Sequence, residues 1–267
     1  MIAAVVQMTS TPDYARNLER AEHWIARAAG TGAQLVALPE NFPLMREESD
    51  TGPHPLAAEL AESQPLGFVR EQARRHGVWI AGGTVPEQVP GDSRVYNTAV
   101  LVDADGNLSA SYRKIHLFDV DLPGSELRES RTVAPGEEVV CASTPWGGFG
   151  LTVCYDLRFG ELFRALVERG AELLWVPSAF TLPTGRDHWE ILLRARAIEC
   201  QAFVLAPGQF GVHNRTRRSY GRSLIVDPWG VVLAQVPDGE GVALADLDPA
   251  RVAEVRARIP VAGHRRL

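Results

Sequence analysis

The stretch Gly150-Leu151-Thr152-Val153-Cys154-Tyr155-Asp156-Leu157-Arg158-Phe159 decides how this chain is to be folded. Leu151 to Val153 is a short apolar run of the kind that forms a buried strand. From Arg158 to Val167 the spacing becomes helical, with Leu162, Phe163, Leu166 and Val167 on one side. Cys154 therefore falls where a strand stops and a helix is about to start. Backbone N–H groups just past such a junction are not yet used by the helix. Those donors, with the positive end of the helix, favour a thiolate and an anionic intermediate. A lone cysteine is more simply read as a buried structural thiol, so the rest of the chain has to decide.

Working outward, apolar strands alternate with helical stretches. Ile2 to Gln7 reads as a buried strand, and Thr11-Pro12 opens a helix with Thr11 as its cap and Leu18, Ala21, Ile25 and Ala28 as its apolar stripe. Leu35 to Leu38 is a second strand, stopped by Pro39, which has no N–H for a ladder. Glu40 is thus a carboxylate at a strand end in an apolar setting. Leu56 to His76 reads as a helix broken near Pro65-Leu66-Gly67, and Val78 to Gly82 as a third strand. Tyr96–Val102 and Leu108–Tyr112 flank the turn signal Asp103-Ala104-Asp105-Gly106, and Lys114 follows the hairpin directly. Residues 119–137 read as a long loop.

Beyond Cys154, Leu173 to Val176 is a strand ending in Pro177-Ser178-Ala179-Phe180. Residues 181–187 read as a loop and His188 to Gln201 as a helix, with Ile191, Leu192, Ala195 and Ile198 inward and Arg194, Arg196 and Glu199 outward. Four further strands follow, Phe203–Ala206, Ser223–Val226, Val231–Val236 and Gly241–Ala245, and then a short helix from Pro249 to Arg258. Hairpins among βα units make the sheet order mixed. Two sheets packed face to face, each covered by helices, accommodate all of these elements.

A chain of 267 residues, 45% hydrophobic and 22% charged, can bury a large core as one α/β domain. Its formal net charge of −6 argues against non-specific nucleic-acid binding. Cys141, Cys154 and Cys200 are widely spaced, with no Cys-x-x-Cys pair, which suits a reducing cytoplasm and predicts no metal site. The first residues lack a basic region and turn polar too early for a signal peptide, and no apolar run approaches the ~20 residues of a membrane span. The expectation is a cytoplasmic protein without cofactor, nucleic-acid partner or membrane contact.

Glu40, Lys114 and Cys154 each lie at the end of an apolar strand, where sites in α/β sheets collect. A carboxylate whose pKa is raised by burial can deprotonate a thiol, and an ammonium can stabilise the developing oxyanion beside the Tyr155 N–H. From spacing alone, Glu40 and Lys114 could equally be a buried ion pair.

The motifs Leu38-Pro39-Glu40-Asn41-Phe42, Tyr112-Arg113-Lys114-Ile115-His116-Leu117-Phe118 and Cys154-Tyr155-Asp156-Leu157-Arg158-Phe159 resemble, in this order, the three catalytic motifs of the nitrilase superfamily of carbon–nitrogen hydrolases. The resemblance covers nearly the whole chain. It implies one domain over residues 1–267, a four-layer α-β-β-α sandwich of two mixed sheets, and pairing into homodimers or larger homo-oligomers. It implies Cys154 as nucleophile, Glu40 as general base, Lys114 as oxyanion stabiliser and Glu129 as a second active-site carboxylate, with Glu126 its less favoured neighbour. Cys-Tyr-Asp-Leu-Arg-Phe resembles the Nit branch of amidases, closer to deaminated glutathione amidases than to ω-amidases. Ala206-Pro207-Gly208-Gln209 and Arg186-Asp187 depart from that branch. The activity implied is hydrolysis of a small carboxylate-bearing amide through a thioester, with ammonia released. N-carbamoyl or aliphatic amides, or a silent scaffold role, are the alternatives. Tyr155, Arg158, Phe180, Thr184 and His188 are the expected substrate contacts, with Arg186 and the cations of His213 to Arg218 as further candidates. Arg217 and Arg218 read more simply as surface residues.

Overall fold

The structure, a computed structural model, describes residues 1–47, 49–122 and 125–266. In chain order the elements are β1 (Ile2–Gln7), α1 (Tyr14–Gly30), β2 (Leu35–Leu38), α2 (Gln64–His76), β3 (Trp79–Gln88), β4 (Val95–Val102), β5 (Leu108–Arg113), β6 (Asp119–Leu122), β7 (Ser125–Arg128) and β8 (Val133–Ala134). There follow β9 (Cys141–Thr144), β10 (Gly147–Leu151), α3 (Gly160–Glu168), β11 (Ala171–Trp175), α4 (Leu182–Cys200), β12 (Phe203–Ala206), β13 (Phe210–Val212), β14 (Arg218–Tyr220), β15 (Leu224–Val226), β16 (Val232–Gln235), β17 (Gly241–Asp246), α5 (Ala250–Arg258) and α6 (Val261–His264).

One sheet runs β17-β1-β2-β3-β4-β5, with β8 added beside β4, and the other runs β16-β15-β12-β11-β10-β9. Both are mixed: β1, β2 and β3 are parallel, whereas β17 meets β1, and β4 meets β3, antiparallel. Helices α1 and α2 cover the first sheet, and α3 and α4 the second. The period-two alternation of strands explains the layering. On β1, Ala3 and Val5 enter the core shared with Phe149, Leu151 and Trp175 of the second sheet. Ala4 and Val6 point the other way, onto Ala21, Ile25 and Ala28 of α1. Because both faces are covered, β1 and β2 read as continuous apolar runs without polar alternation. The result is the four-layer α-β-β-α sandwich expected from the sequence.

Local boundaries differ where turn residues mislead. Asp13, not Thr11, caps α1, accepting from the Arg16 N–H at 3.1 Å. Pro65 does not interrupt a helix but sits in the first turn of α2, where its missing N–H costs nothing. Residues 119–137 contain the β6–β7 hairpin, a 3₁₀ turn at Glu129–Arg131 and β8. The β13–β14 hairpin, also absent from the sequence reading, faces α4.

Helix α4 begins at Leu182, well before His188, because Pro183 and Gly185 act as first-turn residues there and not as breakers. A Cβ on Gly185 would lie 2.3 Å from the Tyr220 Cβ, so glycine lets α4 approach β14. The helix is also turned relative to the sequence reading. Trp189, Leu193, Ala197 and Cys200 face inward, while Ile191 and Ile198 are 70% and 52% exposed. Arg196, expected outside, is buried, donating to the Leu157 carbonyl at 3.1 Å and pairing with Glu199. Among the described residues, no helix is long and apolar enough to cross a membrane.

Candidate active site

Three strand ends converge where the two sheets meet. At the end of β2, the turn carrying Glu40 is clamped from several sides. Asn41 adopts φ +55° and donates its N–H to the Thr84 hydroxyl at 2.9 Å. Gly83, at φ +61°, passes so close that a Cβ would lie 2.2 Å from the Pro39 carbonyl oxygen. From the second sheet's side, Gln209 Nε2 donates to the Glu40 carbonyl at 2.9 Å and to the Ser10 hydroxyl at 2.8 Å. Lys114 follows β5, its N–H donating to the Asn97 carbonyl at 3.0 Å. Cys154 follows β10 at φ +49°, a left-handed conformation that is uncommon for a non-glycine residue, and opens a 3₁₀ turn ahead of α3.

The side chains meet in a buried polar cluster. Glu40 and Lys114 are each 2% exposed, and Cys154 is 8% exposed. Glu40 Oε1 accepts from Lys114 Nζ at 3.2 Å and from Asn97 Nδ2 at 2.9 Å, and Oε2 accepts from the Ala179 N–H at 2.9 Å. Lys114 Nζ also donates to both oxygens of Glu129, at 2.9 and 2.8 Å. Glu129 Oε2 takes a further bond from the Phe118 N–H at 2.7 Å, which fixes the carboxylate on the ammonium. One ammonium thus lies between two carboxylates, and the Cys154 thiol lines the same cavity as all three.

The electrostatics overturn two expectations. Burial alone would raise the Glu40 carboxyl, but the Lys114 and Arg217 charges and the hydrogen bonds from Cys154 and Lys114 outweigh it, and its pKa is held below the usual range. The sequence reading predicted the opposite shift. Burial and the Glu40 charge together push the Cys154 thiol well up, against the opposing pull of Lys114 and the Ala179 N–H. The resting state is therefore a neutral thiol beside a carboxylate, not a thiolate. The Cys154 N–H is not free either, since it donates to the Pro177 carbonyl at 3.0 Å. Burial opposes the charge on Lys114, yet Glu129 and Glu40 keep it protonated with a raised pKa. Tyr155 lies in the first turn of the 3₁₀ segment, where N–H groups have no helical carbonyl to meet.

Asp156, fully buried, locks the Cys154 turn to the Lys114 loop. It accepts from the Val153 N–H at 2.8 Å, the Tyr112 hydroxyl at 2.7 Å, and both the N–H and Nδ1 of His116, at 3.1 and 2.7 Å. The His116 ring stacks on Phe159 at 3.6 Å between centroids, completing the brace.

A cavity of about 210 Å³ opens over the cluster, lined by Glu40, Lys114, Glu129, Cys154, Tyr155 and Phe180. Thr184 lines it as well, its hydroxyl 2.8 Å from that of Thr181. Arg158 and His188 do not line it. Arg158 lies behind the wall, 5.8 Å from the Tyr155 ring centre and 5.5 Å from that of Phe180, and bonds His188 Nδ1 at 3.3 Å. Arg186 is exposed and pairs with its neighbour Asp187. Arg46, Arg128, Arg131 and Arg217 line the cavity instead. Asn97, the Ala179 N–H and Gln209 also hold Glu40. For Ala179 the functional atom is backbone, so its sequence signal is only the strand end at Pro177.

Residues 2–257 match the profile of the family described as carbon–nitrogen hydrolase, and the chain belongs to that family, within the nitrilase superfamily. It is an amidase-type hydrolase. A deaminated glutathione amidase of Synechocystis is 43% identical over 268 residues, covering 99% of this chain and 97% of that one. The crystal structure of the Caenorhabditis elegans NitFhit protein superposes with a TM-score of 0.90 at 40% identity, covering 99% of this chain and 65% of that longer one. Saccharomyces cerevisiae Nit3, a member of branch 10 of the nitrilase superfamily, superposes with a TM-score of 0.89 at 32% identity, over 100% of this chain and 97% of that one.

Proposed function

We propose that this protein hydrolyses the amide of a small carboxylate-bearing substrate through a thioester on Cys154, with deaminated glutathione the first substrate to test. The observation that carries this reading is the convergence of the Cys154 thiol, the Glu40 carboxylate and the Lys114 ammonium at one cavity. The name borne by the Synechocystis relative supports the choice of substrate.

Because the thiol is raised and the carboxylate lowered, proton transfer from Cys154 to Glu40 is uphill at rest. Transfer therefore accompanies attack: sulfur bonds to the carbonyl carbon as Glu40 takes the proton. The negative charge moves to the carbonyl oxygen, where Lys114 Nζ and the Tyr155 N–H receive it. Glu40 then returns the proton to the departing nitrogen, and the carbonyl re-forms as the thioester. A primary amide releases ammonia. Deaminated glutathione, whose amide nitrogens are all substituted, releases an amine. Water, deprotonated by Glu40, attacks the thioester and frees the acid and the thiol. Glu129 keeps Lys114 charged and in place.

The test is turnover of deaminated glutathione and α-ketoglutaramate by the protein and by Cys154→Ala, with acid-quenched reactions weighed by mass spectrometry. An acyl adduct on the protein and none on Cys154→Ala is the expected result. Turnover by Cys154→Ala refutes the nucleophile.

The same proposal includes a homodimer in a reducing cytoplasm. Support comes from the three free cysteines. It also comes from the apolar strip formed by Ile191 and Ile198 of α4 with the nearby Trp229 and Val231, all exposed. Light scattering on Ile191→Glu, expected monomeric, checks it.

A further inference from the structure

Arg217 stands in the connection between β13 and β14, half-buried, whereas Arg215 and Arg218 beside it are exposed. Its backbone is pinned. The N–H donates to Asn214 Oδ1 at 2.8 Å, and the carbonyl accepts from the His213 N–H at 3.0 Å. Asn214 in turn donates to the Arg46 carbonyl at 3.0 Å, tying this connection to the opposite wall.

The other arginines at the cavity are engaged. Arg46 pairs with Asp50, Arg128 with Asp121 and Glu126, and Arg131 with Glu126. Lys114 is taken by Glu40 and Glu129. Among the described residues, the Arg217 guanidinium has no ion pair and no hydrogen bond, although it lines the cavity and its charge reaches Glu40. A half-buried guanidinium has given up hydration, and here no protein group replaces it. Its planar fork of donors matches a carboxylate in a two-bond contact that a lysine cannot reproduce. Glu47 also lines the cavity and bears the sign that repels an acidic ligand from its own side.

We infer that Arg217 is the specificity-determining cation of this site, receiving a carboxylate of the substrate and so setting the amide carbonyl over Cys154. The inference rests on the proposed reaction and narrows its substrates to acids. Neutral aliphatic amides would leave the guanidinium unpartnered in the complex and are disfavoured for that reason.

Two measurements test it. The first compares kcat/KM for α-ketoglutaramate and for its methyl ester, in the wild type, Arg217→Ala and Arg217→Lys. The wild type should prefer the acid, and Arg217→Ala should lose about 10- to 100-fold on the acid, mainly in KM, with little change on the ester. Arg217→Lys should recover only part of the loss. Equal losses on acid and ester, or a wild type that does not discriminate, overturn the inference. The second needs no turnover: calorimetric binding of 2-oxoglutarate to Cys154→Ala, with and without Arg217→Ala. A tenfold or greater weakening supports the assignment even if the amides tried are not hydrolysed, in which case the reaction assigned above is what fails. Binding equal in both proteins, or undetectable in both, overturns it.

Discussion

Tyr112 donates a 2.7 Å hydrogen bond to Asp156, joining the last strand of one sheet to the turn that carries Cys154 in the other. The same hydroxyl accepts from the Ile115 N–H at 3.2 Å, one residue past Lys114. Burial and the Asp156 charge push the Tyr112 hydroxyl far above its ordinary pKa, so it stays a donor. Tyr112→Phe should cost about 1–3 kcal/mol in stability, because Asp156 and the Ile115 N–H each lose a buried partner. Turnover should fall with KM little changed, since the lesion displaces reacting groups and not substrate contacts. Urea unfolding and steady-state kinetics on the one variant check both parts.

The resting thiol makes a prediction about pH. With Cys154 raised, alkylation by iodoacetamide should be slow near pH 7 and should accelerate above the ordinary thiol range. With Glu40 lowered, its carboxylate persists as pH falls, so kcat/KM should show no acid limb from Glu40 down to about pH 5. The sign for stability follows the same shift: the contribution of Glu40 is present above its unfolded pKa and is lost as pH falls through the lower folded value. Glu40→Gln should remove on the order of 10²- to 10⁴-fold from turnover at every pH. An acid limb near pH 6 that vanishes in Glu40→Gln would contradict the lowered carboxyl.

Lys114 and Glu129 should respond unequally to removal. Lys114→Met leaves Glu40 and Glu129 facing each other without a cation, at a cost of about 3–5 kcal/mol or an uptake of protons by the pair. Glu129→Gln leaves the ammonium still paired with Glu40 and should cost less, about 1–3 kcal/mol. Both should lower turnover. Thermal melts at pH 7 and pH 5 separate them, because protonating the orphaned carboxylates at pH 5 should rescue Lys114→Met in part and Glu129→Gln hardly at all.

His213 should give the fold a second pH dependence, opposite in cause to that of Glu40. Burial, with the nearby Arg217 charge, brings its pKa down to about 4 despite the bond to the Ser10 carbonyl. Nδ1 lies 2.8 Å from that carbonyl oxygen and so carries the hydrogen, while the buried Nε2 has no partner. Below about pH 6.5 the unfolded chain binds a proton there that the folded chain refuses, so stability falls as pH falls toward 4. Between pH 7 and pH 5 the loss is about 2 kcal/mol, at ~1.4 kcal/mol per pH unit over the range below 6.5. Urea unfolding of His213→Gln at the two pH values should show a smaller difference than the wild type by that amount.

The ends of the apolar strands were legible in the sequence because the signals there are local. Pro39 stops β2 by lacking a donor, and Cys154 stands where a period of two gives way to a helical period. The layers were legible for a related reason: strands without polar alternation must be covered on both faces. What could not be read depends on neighbours distant in the chain. Pro183 and Gly185 carry no local mark separating a first helical turn from a break, and the deciding contact is Tyr220. That shift turned the helix, so Arg196 and Ile191 exchanged sides relative to the sequence reading. The sign of the Glu40 shift needed the Lys114 ammonium at bonding distance and the Arg217 charge nearby, since burial alone points the other way. Arg217 looked like one of several surface cations in His213–Arg218 until the hairpin aimed it inward.

The partners of Glu40 come from two sides of a seam. Asn97 and Lys114 belong to one sheet, while Ala179 and Gln209 follow strands of the other. The reacting geometry is therefore a gauge of how the two halves of the sandwich are aligned. A shear of a fraction of an ångström along that seam, too small to change spectroscopic measures of secondary structure, would unseat the base before the molecule lost its shape. A ligand lodged there would act in reverse, as a rivet holding the halves together.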